Sequence, residues 1–174
     1  MKLLILYGTI EGQTRKIANF VAEEAIRLGH DPVLVDAEET GAIEFDGVGA
    51  VILAASVHQR RHPRAFEAML AAHSADLAAA RVLMLSVSLN AAFAEGREEA
   101  AEYLTEMKMR TRLVPDAEML VGGAVRTMHY DYFALQVLRH VVLRDRPFDA
   151  SKTEHEFTDW AAVAGQVAAF LEEC

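Results

Sequence analysis

The sequence predicts an α/β protein, a three-layer doubly wound fold with a five-stranded parallel sheet between two layers of helices. Two observations predict it. Short apolar runs alternate with stretches of helical periodicity along most of the 174 residues, and the runs are apolar at consecutive positions, as in strands covered on both faces. Parallel strands need right-handed crossovers, which the intervening helices supply.

The elements follow in order. "LLILY" (Leu3 to Tyr7) is the first strand; Ile17, Phe20, Val21, Ala25 and Leu28 then recur at helical spacing until Gly29 stops the helix. "PVLVD" (Pro32 to Asp36), "VGAVILA" (Val48 to Ala54), "VLMLSVS" (Val82 to Ser88) and "AEMLVGGAV" (Ala117 to Val125) read as strands two to five. Helices fit at about Pro63 to His73 and Gly96 to Met109, with Pro63 suited to a first turn. A last helix opens at Thr158, suited to an N-cap, with Trp160, Val163, Val167 and Phe170 on one face. There is no internal repeat or linker, so residues 1–174 read as one domain.

One stretch breaks the alternation. Between the fifth strand and the last helix lie about thirty residues, an insertion over about 126–157 where a loop of a few residues would suffice. Tyr132, Leu135, Leu138 and Val142 fall at helical spacing with Phe133, Val137 and Val141 beside them, a helix apolar around much of its circumference. From Arg126 to Arg146 it carries four Arg against two Asp, net +2, which leaves −11 of the total −9 for the rest of the chain. The insert is locally basic on an acidic protein.

Composition excludes several classes. An apolar fraction of 52% is too high for a largely disordered chain, and a net charge of −9 disfavours nucleic acid as a partner. The single cysteine, Cys174, permits no intrachain disulfide and fits a reducing cytosol. The opening residues do not match a signal peptide, and the run Tyr132 to Leu143 is too short to span a bilayer and contains Arg139 and His140. The expectation is a cytoplasmic protein, with peripheral contact at the inner face of the cell membrane open through the insertion. No ligand set has a convincing metal spacing.

Three loops lie at the carboxyl ends of the strands, where ligands bind in such sheets: Gly8 to Thr14, Ser56 to His62 and Ser88 to Gly96. In the first, a strand turns into a helix through "GTIEGQT", and the unpaired first-turn N–H groups make a ready phosphate site. It has no Gly-Lys-Ser/Thr and no three-glycine dinucleotide pattern. It resembles the phosphate loop of flavodoxins, in which hydroxyls and backbone amides hold the phosphate of FMN. The resemblance implies Thr9 as first hydroxyl, Gly12 as the close-approach glycine and Thr14 as the hydroxyl at the helix start. Ile10, Glu11 and Gln13 complete the loop, with the Glu11 carboxylate turned to solvent and its N–H serving the site.

An acidic residue at position 11 points further. "YGTIEGQTRKIA", "GAVILAASVHQRRHPRAF", "SVSLN", "VGGAVR" and "FTDW" together resemble the menaquinone-dependent protoporphyrinogen IX dehydrogenases, flavodoxin-fold FMN enzymes with an insertion before the last helix. The resemblance runs along essentially the whole chain and implies strand order 2-1-3-4-5. It also implies flavin-ring contacts from Ser56, Val57, His58 and Gln59 in the second loop, and from Ser86, Val87, Ser88, Leu89 and Asn90 around the third. Neither loop offers a Tyr or Trp to sandwich the ring, so an open ring is expected; Phe93 is a stacking candidate, with a semi-core Phe as the competing reading. His58 is the best guess for a catalytic group, against a reading of His58 and His62 as solvated loop histidines. Arg60, Arg61, Arg64 and Arg126 are candidates to pair with the carboxylates of a porphyrinogen, against a solvated cluster at the helix entry.

The implied activity is oxidation of protoporphyrinogen IX to protoporphyrin IX with a quinone acceptor, a step of haem biosynthesis. The insert could touch a membrane surface, cover the substrate, form a homo-oligomer face or fold on the domain's own core. Two other functions stay open: a flavodoxin-type electron carrier and an FMN-dependent NAD(P)H:quinone reductase.

Overall fold

A computed structural model describes residues 1–39, 41–126 and 154–174. Most of the insertion therefore lies outside the described residues, as does the expected helix at Tyr132 to Val142.

Five strands form one parallel sheet: β1 (Lys2–Gly8), β2 (Asp31–Asp36), β3 (Val48–Ser56), β4 (Arg81–Ser88) and β5 (Ala117–Gly122), in spatial order 2-1-3-4-5. The helices are α1 (Gln13–Arg27), α2 (Arg64–Ala72), α3 (Ser74–Ala79), α4 (Arg97–Thr111) and α5 (Trp160–Glu172). Strand alternation sorts the core into two halves. Leu3, Ile5, Ile52, Leu83 and Leu85 face Ile17 and Val21 of α1 and Val163, Val167 and Phe170 of α5. Leu4, Leu6, Leu53, Val82 and Met84 face Phe66 and Leu70 of α2, Leu77 of α3 and Leu104 and Met107 of α4. β1 is covered on both faces and paired on both edges, so its continuous apolar run is explained.

Three details depart from the sequence reading. The fifth strand ends at Gly122, and after Gly123 the chain starts a separate short strand, β6 (Ala124–Arg126), which pairs antiparallel with β7 (Glu154–Glu156). The two ends of the insertion are thus zipped together by a two-stranded ribbon. The short helix α3 lies where none was expected. Thr158 is not the cap of the last helix: Asp159 is, its carboxylate accepting from the Ala162 N–H at 3.0 Å, while the Thr158 hydroxyl donates to the Gly122 main-chain oxygen at 2.6 Å.

β1 lies between β2 and β3, and the chain reverses its direction of winding there, so the switch point lies at the ends of β1 and β3. Gly8 ends β1 opposite Ala55, pressed against Phe66 of α2: a Cβ at residue 8 would lie 2.8 Å from the Phe66 Cβ. Phe66 is fully buried and has no free direction to move. Gly8→Ala is expected to cost about 1–3 kcal/mol through overpacking, seen as a lower urea midpoint at unchanged m-value; an unchanged midpoint would show that α2 yields freely.

Candidate functional site

A cleft of about 300 Å³ opens at the switch point. Its floor and walls come from the three loops expected and from one that was not. The first loop contributes Thr9, Ile10, Glu11, Gln13 and Thr14; the second contributes Ser56, Val57, His58 and Gln59. Val87, Ser88 and Leu89 form the third side. Gly123, Ala124 and Val125 close the fourth. That wall was missed, although the double glycine after the fifth apolar run marked a place where the backbone could come close.

The first loop is built around Gly12, whose φ of +90° is left-handed and suits glycine. The Gly12 N–H donates to Thr9 Oγ1 at 2.9 Å, and α1 begins at the next residue. No side chain caps α1, so the N–H groups of its first turn face the cleft end of the helix without a cap. Thr14, fully buried, has a hydroxyl with no hydrogen-bond partner among the described residues, and the same holds for Ser56 Oγ and Gln13 Oε1. All three residues line the cleft. A buried polar atom left unsatisfied costs about 1–3 kcal/mol, so three in one cleft mark a place shaped for a polar ligand. Hydroxyls, helix-start N–H groups and the positive end of the helix dipole make a donor-rich cradle for an anion, and the Gln13 amide oxygen beside them accepts from a ligand's own N–H or O–H.

The cleft is held from two sides. On one, Gln13 Nε2 donates to Thr158 Oγ1 at 2.9 Å and Glu156 Oε2 at 3.2 Å, and Lys16 pairs with the same carboxylate, docking the ribbon on α1. On the other, Arg60 and Asn90 share Glu99, the guanidinium at 2.6 Å from Oε1 and the amide donating to Oε2 at 2.8 Å, which ties the second loop to the third. Arg60 also lies over the Tyr103 ring at 5.2 Å.

Several expected contacts therefore point elsewhere. The Asn90 amide faces α4, and neither it nor Ser86 lines the cleft. Ser86 lies on the α2 side of the sheet, 3.0 Å from His62 Nε2. Gly12 serves through its backbone. Phe93 packs edge-on against Phe157, ring centroids 5.2 Å apart, and is not part of the cleft lining. His58 is exposed at the rim, in a tight turn closed by reciprocal main-chain bonds to Arg61, with Gln59 and Arg60 both at positive φ. Two consecutive non-glycine residues in that region are strained, and such strain gathers at functional loops. Arg61 is paired with the buried carboxylate of Glu67 at 3.0 Å, which Arg110 also holds at 2.8 Å; Arg64 is exposed and makes no ion pair among the described residues. Arg126 reaches the first loop.

His62 corrects the reading of a solvated loop histidine: it is 1% exposed. Burial pushes its pKa down to about 4, with Arg110 adding to the effect and Glu67 opposing it. Burial would raise the Glu67 carboxyl, but hydrogen bonds from Arg110 and Arg61 hold it below the ordinary carboxylate value.

Comparison with known proteins gives this geometry its family. A family model described as a flavodoxin domain matches residues 4–149. The chain belongs to the flavodoxin domain family. Among curated relatives, the protoporphyrinogen IX dehydrogenase [quinone] of Escherichia coli K12 is 26% identical over 165 residues, 94% of this chain and 91% of that protein. Among solved structures, oxidised flavodoxin 1 from Bacillus cereus superposes with a TM-score of 0.61 at 14% identity, covering 100% of this chain and 99% of that one. A Fusobacterium nucleatum flavodoxin bound to flavin mononucleotide does so at 0.52 and 13% identity, covering 99% and 95%. These likenesses show the fold. Among the described residues no group of three or more His, Cys, Asp or Glu is placed to hold a metal, and no helix is long and apolar enough to cross a membrane.

The buried histidine makes a pH prediction. Its folded pKa lies below the unfolded value near 6.5, so the unfolded chain binds the extra proton; stability is fully present above about pH 6.5 and is lost as pH falls to about 4. The loss should approach about 3 kcal/mol from this group. Urea titrations across that window should show a flatter profile for His62→Gln than for the natural chain; identical slopes would mean that His62 is accessible to protons in the fold.

Proposed function

We propose that this chain is an FMN-dependent oxidoreductase that oxidises protoporphyrinogen IX with a quinone as electron acceptor. The observation that carries the cofactor is the set of unpaired buried polar atoms of Gln13, Thr14 and Ser56 in one cleft at the switch point of a flavodoxin domain. They suit a ligand with a compact anionic end and polar ring edges. The substrate and acceptor rest on the printed name of the Escherichia coli relative and on a likeness that runs over nine-tenths of both chains.

FMN would supply two-electron redox chemistry when bound. The chain's own groups do the rest. Thr9, Thr14 and the N–H groups opening α1 receive the phosphate, with the helix dipole favouring its charge. Ser56 and the main chain of residues 57–59 meet one side of the ring; Val87 to Leu89 and Gly123 to Val125 meet the others. Among the described residues that lining has no large aromatic over the ring, which suits a flat tetrapyrrole on one face. His58, the one histidine among the described residues lining the cleft, is the group proposed to move a proton at its rim. Of the substrate arginines, Arg64 has its guanidinium uncommitted to an ion pair among the described residues, so it is the one proposed to meet a propionate, whereas Arg60 and Arg61 are engaged by Glu99 and Glu67. The insertion is proposed to reach the acceptor, at a membrane surface or in a second copy of the chain.

A second reading, an electron carrier with no substrate of its own, draws on those same engaged arginines and on the net charge of −9, which suits docking to basic partners.

Anaerobic mixing of the FMN-loaded chain with protoporphyrinogen IX should bleach the flavin, and a menaquinone analogue should then give porphyrin fluorescence above the spontaneous rate. Bleaching no faster than with free FMN would put the carrier reading first. The cradle has its own test. Thr14→Val removes an unpaired hydroxyl, so the ligand-free variant should melt no lower than the natural chain, yet lose most of the rise in Tm that FMN gives. Retention of that rise would take Thr14 out of the site.

A further inference from the structure

Arg126 has a second task available that a substrate arginine would not have. It ends β6, and its Nη1 donates to the main-chain oxygen of Glu11, in the first loop. The guanidinium lies so close over Gly12 that a Cβ there would be 2.7 Å from Nη1. Nε and Nη2 both reach Glu154 Oε1 at 3.3 Å, across the ribbon. Three of its nitrogens are therefore committed, and its side chain is held at both ends of a plane.

The peptide that carries the Glu11 oxygen also carries the Gly12 N–H, and in a trans peptide the two point in opposite directions. That N–H is the one that donates to Thr9 Oγ1. Arg126 thus grips the outer end of a peptide whose inner end supports a hydroxyl lining the cleft. Because its oxygen accepts from that N–H, the Thr9 hydroxyl keeps its own proton to donate. A cation on the carbonyl polarises the peptide and strengthens the N–H at its far end.

We propose that Arg126 is a positioning residue for the anion cradle: it locks the Glu11–Gly12 peptide so that Thr9 is presented to a phosphate, and it brings positive charge to a loop whose own charged residue is Glu11. The inference rests on the FMN reading and deepens it, naming the phosphate as the group to which Arg126 answers. It also gives Gly12 two reasons to be glycine, the positive φ and the guanidinium above it. Because Arg126 belongs to β6 and is held by Glu154 of β7, docking of the ribbon and occupancy of the cradle are linked, each favouring the other by the same factor.

The test uses the ligand-free full chain titrated with FMN and with riboflavin, which has the same ring and no phosphate. Arg126→Met should weaken FMN about tenfold or more and leave riboflavin within about twofold, because only the phosphate meets Thr9, the hydroxyl that the Glu11–Gly12 peptide orients. The salt dependence of FMN affinity should fall in the same variant, and Arg126→Lys, which keeps a charge and one donor, should recover part of the loss. Equal loss for both ligands would overturn the proposal and make Arg126 a brace of the ribbon; so would equal retention of both. A natural chain that binds FMN no better than riboflavin would instead overturn the phosphate site itself, and the proposal with it.

Discussion

Hydroxyls buried without a partner among the described residues are the constraint around which the carboxyl edge of this sheet is arranged. Thr14 is held fully out of water by the start of α1, and Ser56 ends the strand that faces β1 across the switch point. Thr14 sits in the uncapped first turn of α1, beside helix-start N–H groups, and Ser56 where β3 leaves the sheet. No other described residue hydrogen-bonds these two hydroxyls. A ligand that does so gains the hydrogen bonds and the relief of that cost together, so binding and folding stability are linked at this edge.

The surroundings hold that edge rigidly from both flanks. Gln13, Lys16 and Arg126 tie the β6–β7 ribbon to the first loop, and Arg60, Glu99 and Asn90 tie the second loop to the third. The two clasps differ in kind. The first joins the cradle to the strands from which residues 127–153 depart, and the second consumes one of the arginines that a dicarboxylate substrate would want. Behind the sheet, buried His62 meets Ser86 of β4 and buried Glu67 of α2 is held by the partly exposed Arg110 of α4, and this polar cluster is sensitive to acid because its histidine is stored neutral.

Much of this was legible in the sequence. β1, β3 and β4 are continuous apolar runs because they are covered on both faces, whereas the edge strands β2 and β5 keep exposed positions at Val33 and Glu118; the phosphate loop shows because its glycine, hydroxyls and helix start fall within a few residues. What was not legible depends on direction or on distance. Whether Ser86 faces the cleft or α2 is a matter of one-residue parity along β4, where Val82, Met84 and Ser86 share the α2 side. Asn90 turns to Glu99 and Tyr103 because a 3₁₀ turn over Asn90–Ala92 redirects the chain at the end of β4. The fifth strand looked longer than it is, since a glycine pair inside an apolar run reads equally as strand or break. β6 pairs with residues some thirty positions away, beyond the reach of any local pattern, and with that pairing went the fourth wall of the cleft and the reach of Arg126 to Glu11.

The central claim is that the start of α1 holds the phosphate of FMN as a buried dianion. ³¹P NMR of the FMN-loaded chain between about pH 5 and about pH 8 measures this directly, because a free phosphate monoester loses its second proton near pH 6. A phosphate enclosed by Thr9, Thr14 and the helix-start N–H groups should give a resonance displaced from that of free FMN and unmoved across the range. A resonance that follows the titration of free FMN would place the phosphate in solvent and contradict the account.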